Sequence, residues 1–150
     1  MDWPLESACA ACAAELAARP AIADSRIELA GPLGAGKTTF VRHLLRALGV
    51  EGRVKSPSYA VVEPYLVEHL GRPLAISHFD FYRFDDPREW EDAGLRELYA
   101  QAGLKLVEWA EQAAPLLPPP DLRLQIEPRL DGSRAVLLQA CSARGRELLG

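Results

Sequence analysis

The alternation of apolar and polar positions predicts helix, strand, loop and helix in the first third of the chain. Residues 5 to 18 are rich in alanine and predict a helix that ends before Pro20. Residues 26 to 30 form a short apolar run typical of a buried strand. Apolar residues then recur at helical spacing after residue 40, which predicts a second helix that ends at Gly49.

The middle of the chain predicts an antiparallel pair of strands followed by two helices. A strand around 60 to 67 precedes a turn over 71 to 73 and a second strand over 74 to 79. The Asp-Asp-Pro sequence at 85 to 87 has the acidic residues and the proline that favour the start of a short helix. A further helix is predicted near 95 to 101.

The last third predicts a return to strands. Residues 104 to 108 form an apolar strand, and the prolines at 115 and 118 to 120 indicate a surface connection. Residues 122 to 127 and 134 to 140 predict a hairpin that closes at Asp131-Gly132 and precedes a terminal helix. The connection from 54 to 60 is predicted to be exposed, because Pro57 disfavours a helix there.

Length and charge narrow the class of protein. The 150 residues suit one α/β domain, spanning 1 to 150, whose mixed sheet contains parallel and antiparallel strands. The net charge of -4, from 17 basic and 21 acidic residues, gives no whole-chain reason to bind nucleic acid or a membrane surface. No apolar run approaches the roughly 20 residues of a membrane span, and the first residues include Asp2 and Glu6, which a basic targeting segment would not be expected to carry. We therefore predict a cytoplasmic protein.

Cysteines and histidines predict no metal or redox chemistry. Cys9, Cys12 and Cys141 are predicted to be free thiols. The C-x-x-C spacing at 9 and 12 lies in the alanine-rich helix without a second ligand pair, so we interpret these cysteines as small buried residues. His69 and His78 lack clustered carboxylate or thiolate neighbours and are interpreted as structural or hydrogen-bonding residues.

Residues 31 to 38 carry the clearest chemical motif. Their sequence, Gly-Pro-Leu-Gly-Ala-Gly-Lys-Thr, matches G-x-x-x-x-G-K-[ST] between the predicted strand and helix. In such a loop, backbone N–H groups and the helix dipole face phosphate oxygens, Lys37 reaches the β and γ phosphates, and the Thr38 hydroxyl binds Mg²⁺. A simple glycine-rich turn would need neither side chain. The predicted phosphate-binding residues are Gly34, Ala35, Gly36, Lys37, Thr38 and Thr39.

Two acids are predicted to face this loop. Asp80 ends the strand over 74 to 79, and Glu108 ends the strand over 104 to 107. Either acid alone would also suit a cap on the next element, but a pair at strand ends beside a phosphate loop favours binding of Mg²⁺ or ordering of a water. Trp109 would line the pocket or anchor the strand in the core, and we favour the core.

Five ordered segments resemble the TsaE family, formerly YjeE, small bacterial ATPases of tRNA threonylcarbamoyladenosine synthesis. They are GAGKTTF at 34 to 40, VKSPSY at 54 to 59, VEPY at 62 to 65, HFDFYR at 78 to 83 and LVEW at 106 to 109. The resemblance implies a single P-loop NTPase domain with three layers and a mixed central sheet. It also implies two partner proteins, TsaB and TsaD, which transfer threonylcarbamoyl to an adenosine beside the tRNA anticodon.

The same resemblance implies roles for individual residues. Lys37 would contact the phosphates of ATP, Thr38 and Glu108 would hold Mg²⁺, and Asp80 would position the water or act as a switch. ATP hydrolysis would support turnover of the TsaB–TsaD complex, would be weak without those partners, and would reach tRNA only through the complex. The predicted catalytic set is Lys37, Asp80 and Glu108.

The chain departs from the usual family pattern at four positions. Ser58 and Ala60 stand in the predicted nucleotide-sensing connection where threonines are common. Pro32 replaces an aspartate that is common after the first loop glycine, and Ala110 replaces a proline that often follows the Glu-Trp pair. Ala60 cannot supply the hydroxyl of the second threonine.

Two other functions fit a phosphate loop. A small-molecule kinase would need a lid with several arginines, and Arg83, Arg88 and Arg96 are candidates that we interpret as a solvated helical face. A GTP-operated switch would need an N-K-x-D or T-K-x-D segment, which is absent because the chain has no asparagine and no threonine beyond 38 and 39. Arg134 is a candidate for the base pocket that no motif supports.

Overall fold

The sheet contains four parallel strands flanked by antiparallel ones. The computed structural model describes residues 1–54, 62–84, 86, 94–113 and 116–150. Within these ranges seven strands form one sheet in the order β1-β7-β6-β2-β5-β4-β3, with β6, β2, β5 and β4 parallel. The mixed sheet is therefore confirmed. The strands are β1 (Asp2–Trp3), β2 (Arg26–Ala30), β3 (Val62–His69), β4 (Arg72–Asp80), β5 (Leu104–Glu108), β6 (Leu122–Pro128) and β7 (Arg134–Ala140).

Helix boundaries agree with the sequence pattern where the structure describes them. The helices are α1 (Glu6–Ala17), α2 (Lys37–Ala47), α3 (Leu95–Ala100) and α4 (Ala143–Leu149), and single 3₁₀ turns cover Pro20–Asp24 and Ala110–Gln112. In the described ranges no helix has the length and apolar character needed to cross a membrane. Of the predicted connection over 54 to 60, residues 55 to 60 lie outside the described residues. The predicted Asp-Asp-Pro helix start at 85 to 87 also lies outside them, apart from Asp86.

Two hydrophobic clusters cover opposite faces of the sheet. Leu106 and Val107 are successive residues of β5 and therefore point to opposite faces. Leu106 belongs to the larger cluster, which includes α1 and α2, whereas Val107 packs in the smaller cluster with Tyr99 of α3. Helices thus cover both faces, and the predicted three-layer architecture is confirmed.

Strand register brings the predicted functional residues to one edge of the sheet. Glu108 at the end of β5 lies opposite Leu29 of β2 on one side and opposite Asp80 of β4 on the other. Because parallel strands end at the same edge, the loop after β2 and both acids meet there.

The turn between β3 and β4 is one residue earlier than predicted. Leu70 and Gly71 form it with φ values of 51° and 79°, while Arg72 and Pro73 already pair with His69 and Glu68. Pro73 is tolerated in the strand because β4 begins to pair with β5 only at Ile76, so no ladder on that side needs its missing N–H.

The cysteines are free thiols, as predicted. Cys9 and Cys12 are buried in α1, and Cys141 is exposed. Burial raises the pKa of the Cys9 thiol to about 12 and that of the Cys12 thiol to about 11. Among the described residues no group of three or more metal-ligating side chains is present. The C-x-x-C pair is therefore part of the core.

The positive φ of Leu70 generates a stability prediction. Leu70→Asn is expected to raise the free energy of unfolding by about 1 kcal/mol, because asparagine tolerates a left-handed conformation that leucine does not. Urea denaturation measures the change. Leu130→Asn replaces another exposed leucine, whose φ is not positive, and should have little effect. Equal effects of the two substitutions would contradict the turn geometry.

Candidate functional site

The glycine-rich loop runs between β2 and α2. Gly31, Gly34 and Gly36 have φ values of 148°, 80° and 106°, which side chains rarely adopt. A Cβ atom on Gly31 would lie 2.4 Å from the carbonyl oxygen of Ile126 in β6, so only glycine fits there. No described side chain caps the start of α2. The Ala35 N–H donates to the Pro32 carbonyl at 3.0 Å, inside the loop itself.

Lys37 is held in the site by a carbonyl group and an aromatic ring. Only 5% of the residue is exposed, and its ammonium donates to the Gly31 carbonyl oxygen at 2.7 Å. The same nitrogen lies 3.5 Å from the centre of the Trp109 ring, close enough for a cation–π interaction. Burial lowers the pKa of Lys37, although the charge of Glu108 opposes this shift. A phosphate oxygen at the loop could therefore replace the Gly31 carbonyl oxygen as the acceptor of the Lys37 hydrogen bond.

Trp109 has a larger role at the site than the sequence indicates. Its backbone is left-handed, with φ 57° and ψ 42°, a conformation that costs a non-glycine residue about 1 kcal/mol or more. The half-buried ring packs against the smaller cluster and also contacts the Tyr82 ring at 5.0 Å between centres. The sequence-based prediction that Trp109 anchors the core is therefore only part of its role, because the ring also contacts the Lys37 ammonium and lines the site.

A buried hydrogen-bonded group centres on Glu108. Only 2% of Glu108 is exposed, and its Oε1 and Oε2 accept from the Thr38 hydroxyl at 2.9 and 3.2 Å. His78 Nε2 lies 2.6 Å from Oε2, and His78 is completely buried. The sequence pattern indicates only a structural or hydrogen-bonding role for His78 and does not identify its partner. Alternation along β4 was the available signal, because His78 and Asp80 are two residues apart and share a face.

The Thr38–Glu108 pair has oxygens at a spacing that suits Mg²⁺. Octahedral Mg²⁺ has metal–oxygen distances near 2.0–2.1 Å, which places neighbouring ligand oxygens about 2.9 Å apart. Thr38 Oγ1 and Glu108 Oε1 are separated by 2.9 Å. One hydroxyl and one carboxylate are also the hard oxygen donors that this ion prefers. Thr38 and Glu108 therefore have the oxygen spacing and the donor types that Mg²⁺ requires.

Asp80 lies beside Glu108 at the end of β4. Its Oδ1 accepts a hydrogen bond from the Tyr82 N–H at 3.0 Å. Burial raises the pKa of Asp80 and the negative charge of Glu108 adds to this, whereas the Tyr82 bond and the charges of His78 and Lys37 act in the opposite direction. The carboxylate is thus poorly solvated.

One cavity of about 310 Å³ collects every residue predicted for the site. Its lining includes all six predicted phosphate-binding residues of the loop and both acids, Asp80 and Glu108. Leu33 and Tyr82 also line the cavity and were not predicted from the sequence. Arg134 was a candidate for the base pocket, although no sequence motif supported it. Among the described residues, the lining consists of Leu33, Gly34, Ala35, Gly36, Lys37, Thr38, Thr39, Asp80, Tyr82, Glu108, Trp109 and Arg134.

A second cavity of about 270 Å³ adjoins the first. The two share Gly36, Thr39 and Arg134, and Arg134 is fixed at this boundary because its Nε donates to the Ala35 carbonyl at 2.6 Å. The second cavity is lined by Trp3, Leu5, Glu6, Cys9, Gly36, Thr39, Gly132 and Arg134.

The arginines considered for a kinase lid do not line either cavity where they are described. Arg83 is exposed in a turn after β4, and Arg96 is exposed on α3. Arg88 lies outside the described residues. The interpretation as a helical face is wrong for Arg83, because β4 is followed by a turn rather than a helix.

The structure is that of an α/β protein in which a glycine-rich loop with the G-x-x-x-x-G-K-[ST] sequence joins a parallel strand to a helix, beside acids from two adjacent strands. The family model described as threonylcarbamoyl adenosine biosynthesis protein TsaE matches residues 4–136. The chain belongs to the TsaE family.

Individual relatives agree with this assignment. The chain is 38% identical to the tRNA threonylcarbamoyladenosine biosynthesis protein TsaE of Haemophilus influenzae, over 82% of this chain and 75% of the relative. It is 36% identical to the protein of the same name from Bacillus subtilis, over 79% of this chain and 71% of the relative. A crystal structure of Bacillus subtilis YdiB superimposes with a TM-score of 0.74 at 27% identity, covering 99% of this chain and 90% of that chain.

The raised pKa of Asp80 predicts that its charge destabilises the ligand-free fold. The ordinary value is 3.8, and above the raised folded value the charged carboxylate is less stable in the site than in the unfolded chain. Asp80→Asn should therefore raise the melting temperature at pH 7, and the gain should disappear as the pH falls through the raised pKa towards 3.8. Thermal denaturation from pH 4 to 8 tests this.

An exposed acid that lines neither cavity supplies the control for Asp80. Glu147→Gln in α4 should leave the melting temperature nearly unchanged over the same pH range. A lower melting temperature for Asp80→Asn at pH 7 would contradict the sign of the argument.

Proposed function

We propose that this protein binds Mg²⁺ and ATP at the glycine-rich loop and hydrolyses the ATP. The observation that carries the proposal is the Thr38–Glu108 hydrogen bond of 2.9 Å beside the buried ammonium of Lys37. These three groups supply a metal-binding oxygen pair and a positive charge at one loop, the combination that phosphoryl transfer needs.

Lys37 is the group that would recognise the β and γ phosphates. In the ligand-free state its ammonium donates to the Gly31 carbonyl, and a phosphate oxygen would take the place of that acceptor. The Trp109 ring would keep the ammonium on the loop during this exchange, because its face attracts a cation without competing for the hydrogen bonds. Burial strengthens the attraction between Lys37 and a phosphate, since little water screens it.

The two acids have different proposed roles. Thr38 and Glu108 would hold Mg²⁺, which when bound neutralises charge on the phosphate oxygens. Asp80 would orient a water against the γ phosphorus, and its raised pKa makes it a better acceptor of that water's hydrogen bond. The water oxygen would form a bond to phosphorus as the bond to the bridging oxygen breaks, the electron pair of the broken bond would remain on ADP, and a proton of the water would pass to the released phosphate.

The second cavity offers space for the nucleoside. Lys37, Asp80 and Glu108 mark the γ-phosphate end of the first cavity, and none of them lines the second. The residues that the cavities share, Thr39 among them, would therefore lie towards the α-phosphate, and the ribose and base would extend beyond them. The guanidinium plane of Arg134 is suited to stack on a base.

The biological process is proposed from the family. Relatives carry names that place them in tRNA threonylcarbamoyladenosine biosynthesis. We propose that ATP hydrolysis here supports turnover of a complex of TsaB and TsaD, with tRNA reached only through that complex and with weak hydrolysis in its absence. Work on tRNA implies a cytoplasmic location.

A small-molecule kinase is the alternative function. A kinase must bind a hydroxyl-bearing substrate next to the γ phosphate. Asp80 and Glu108 do not line the second cavity, and the described lid candidates Arg83 and Arg96 line neither cavity. These placements favour hydrolysis over transfer to a metabolite.

Substitutions at two residues separate binding from hydrolysis. Lys37→Ala should abolish ATP binding, because Lys37 supplies the only side-chain ammonium among the described residues that line the cavity. Glu108→Ala should reduce Mg²⁺-dependent hydrolysis more than ATP binding, because it removes a proposed metal ligand but leaves the glycine-rich loop unchanged. Calorimetry and phosphate release measure the two effects. Cys12→Ser is the control and should retain activity, whereas equal losses of binding and hydrolysis in Glu108→Ala would contradict its role.

Substitution at Cys9 tests the nucleoside placement. Cys9 lines the second cavity but not the first, so Cys9→Met should fill nucleoside space and weaken ATP binding about tenfold, or ~1.4 kcal/mol. Binding of inorganic tripolyphosphate should not change, because it needs only the first cavity. Cys9→Ala is the matched control with no added volume. Equal ATP affinities of Cys9→Met and Cys9→Ala would place the nucleoside elsewhere.

A further inference from the structure

Among the described residues, His78 has a single polar contact although its side chain is completely buried. The ring lies on β4 among apolar neighbours on the same face, such as Ile76, and Nε2 is 2.6 Å from Glu108 Oε2. Within the described part of the chain Nδ1 has no hydrogen-bond partner. An unpaired buried acceptor destabilises a fold, and a leucine at this position would avoid that loss. Core packing therefore does not explain a histidine here.

We propose that His78 is a positioning residue that fixes the Glu108 carboxylate for Mg²⁺. This inference rests on the proposed function, because it concerns the metal that accompanies the nucleotide. An ionised carboxylate only accepts hydrogen bonds, so Nε2 carries the proton and donates to Oε2. In the neutral ring Nδ1 is then the nitrogen without a proton, and it has no hydrogen-bond partner among the described residues.

The two donors contact the oxygens of Glu108 unequally. Thr38 contacts both, at 2.9 Å to Oε1 and 3.2 Å to Oε2, whereas His78 contacts Oε2 at 2.6 Å. Metal binding would take the Oε1 side together with the Thr38 oxygen, and the bond from His78 would remain. Without His78 the carboxylate could rotate about its terminal torsion, which is broad for glutamate. His78 thereby keeps Oε1 directed towards Thr38 before the metal arrives, which lowers the entropy lost on binding.

The positions of the two strands make this contact possible. His78 is opposite Leu106 in the parallel register, and Asp80 is opposite Glu108. The imidazole therefore reaches along the sheet to a carboxylate two residues further on. A shorter side chain at 78 would not span this offset, whereas glutamine is long enough and carries an N–H donor.

The experiment measures how Mg²⁺ increases ADP affinity, which requires no turnover. ADP binding is followed by calorimetry in EDTA and across a Mg²⁺ series for the intact protein, His78→Leu and His78→Gln. His78→Leu should shift the Mg²⁺ midpoint upwards about 10- to 100-fold, the usual effect of losing a partner of a metal ligand. His78→Gln should restore most of the affinity, and ADP binding in EDTA should be the same for all three.

A second histidine provides a matched control. His69 Nε2 also makes one hydrogen bond, 2.7 Å to the Ala17 carbonyl oxygen, and it lines neither of the two cavities at the loop. His69→Leu should leave the Mg²⁺ midpoint unchanged. If His78→Leu leaves it unchanged as well, or if His78→Gln is as impaired as His78→Leu, the positioning role is wrong and the proposed function stands. If the intact protein binds no ADP, the proposed function falls and the inference with it.

A measurement on the unaltered protein remains decisive if His78→Leu does not fold. Proton–nitrogen spectra of the imidazoles report which ring nitrogen carries the proton. We expect His78 to carry it on Nε2, with the proton protected from exchange both without ligand and with Mg²⁺ and ADP. A ring with its proton on Nδ1 and none on Nε2 would make Nε2 an acceptor and would overturn the proposal.

Discussion

The site depends on a buried carboxylate, Glu108, that is held by donors from two different elements. Thr38 reaches it from the first turn of α2 and His78 from β4, so one side chain links the glycine-rich loop to two neighbouring strands. A charge with 2% exposure is stable only if donors replace the lost water. The same bonds that make its burial tolerable also set the spacing of the Thr38 and Glu108 oxygens.

Other features of the site oppose stability of the ligand-free protein. Burial lowers the pKa of Lys37 and raises that of Asp80, so both charged forms lose solvation in the fold. Trp109 is in a left-handed conformation, and His78 has an unpaired nitrogen in the described structure. Groups of this kind are typical of binding sites, where a ligand supplies the missing partners. A nucleotide with Mg²⁺ would supply opposite charge to Lys37 and to the two acids.

The sequence predicted most of the fold because its signals are local. Apolar spacing located the helices and strands, and apolar strands ending in Asp80 and Glu108 predicted where the acids meet the loop. The turn at Leu70 was misplaced because leucine is a poor indicator of a left-handed residue. The contact from His78 to Glu108 and the position of Arg134 depend on strand register and on packing between distant segments. Such contacts leave no pattern of spacing in a single sequence.

Under the proposed function, this TsaE-family protein couples ATP hydrolysis to the TsaB–TsaD complex. Phosphate release from ATP in the presence of Mg²⁺ tests this, measured for the purified protein alone and with TsaB and TsaD, with and without tRNA. We expect weak hydrolysis by the protein alone and clear stimulation by the partners. Hydrolysis that the partners leave unchanged, together with transfer of phosphate from ATP to a small molecule, would contradict it and favour the kinase.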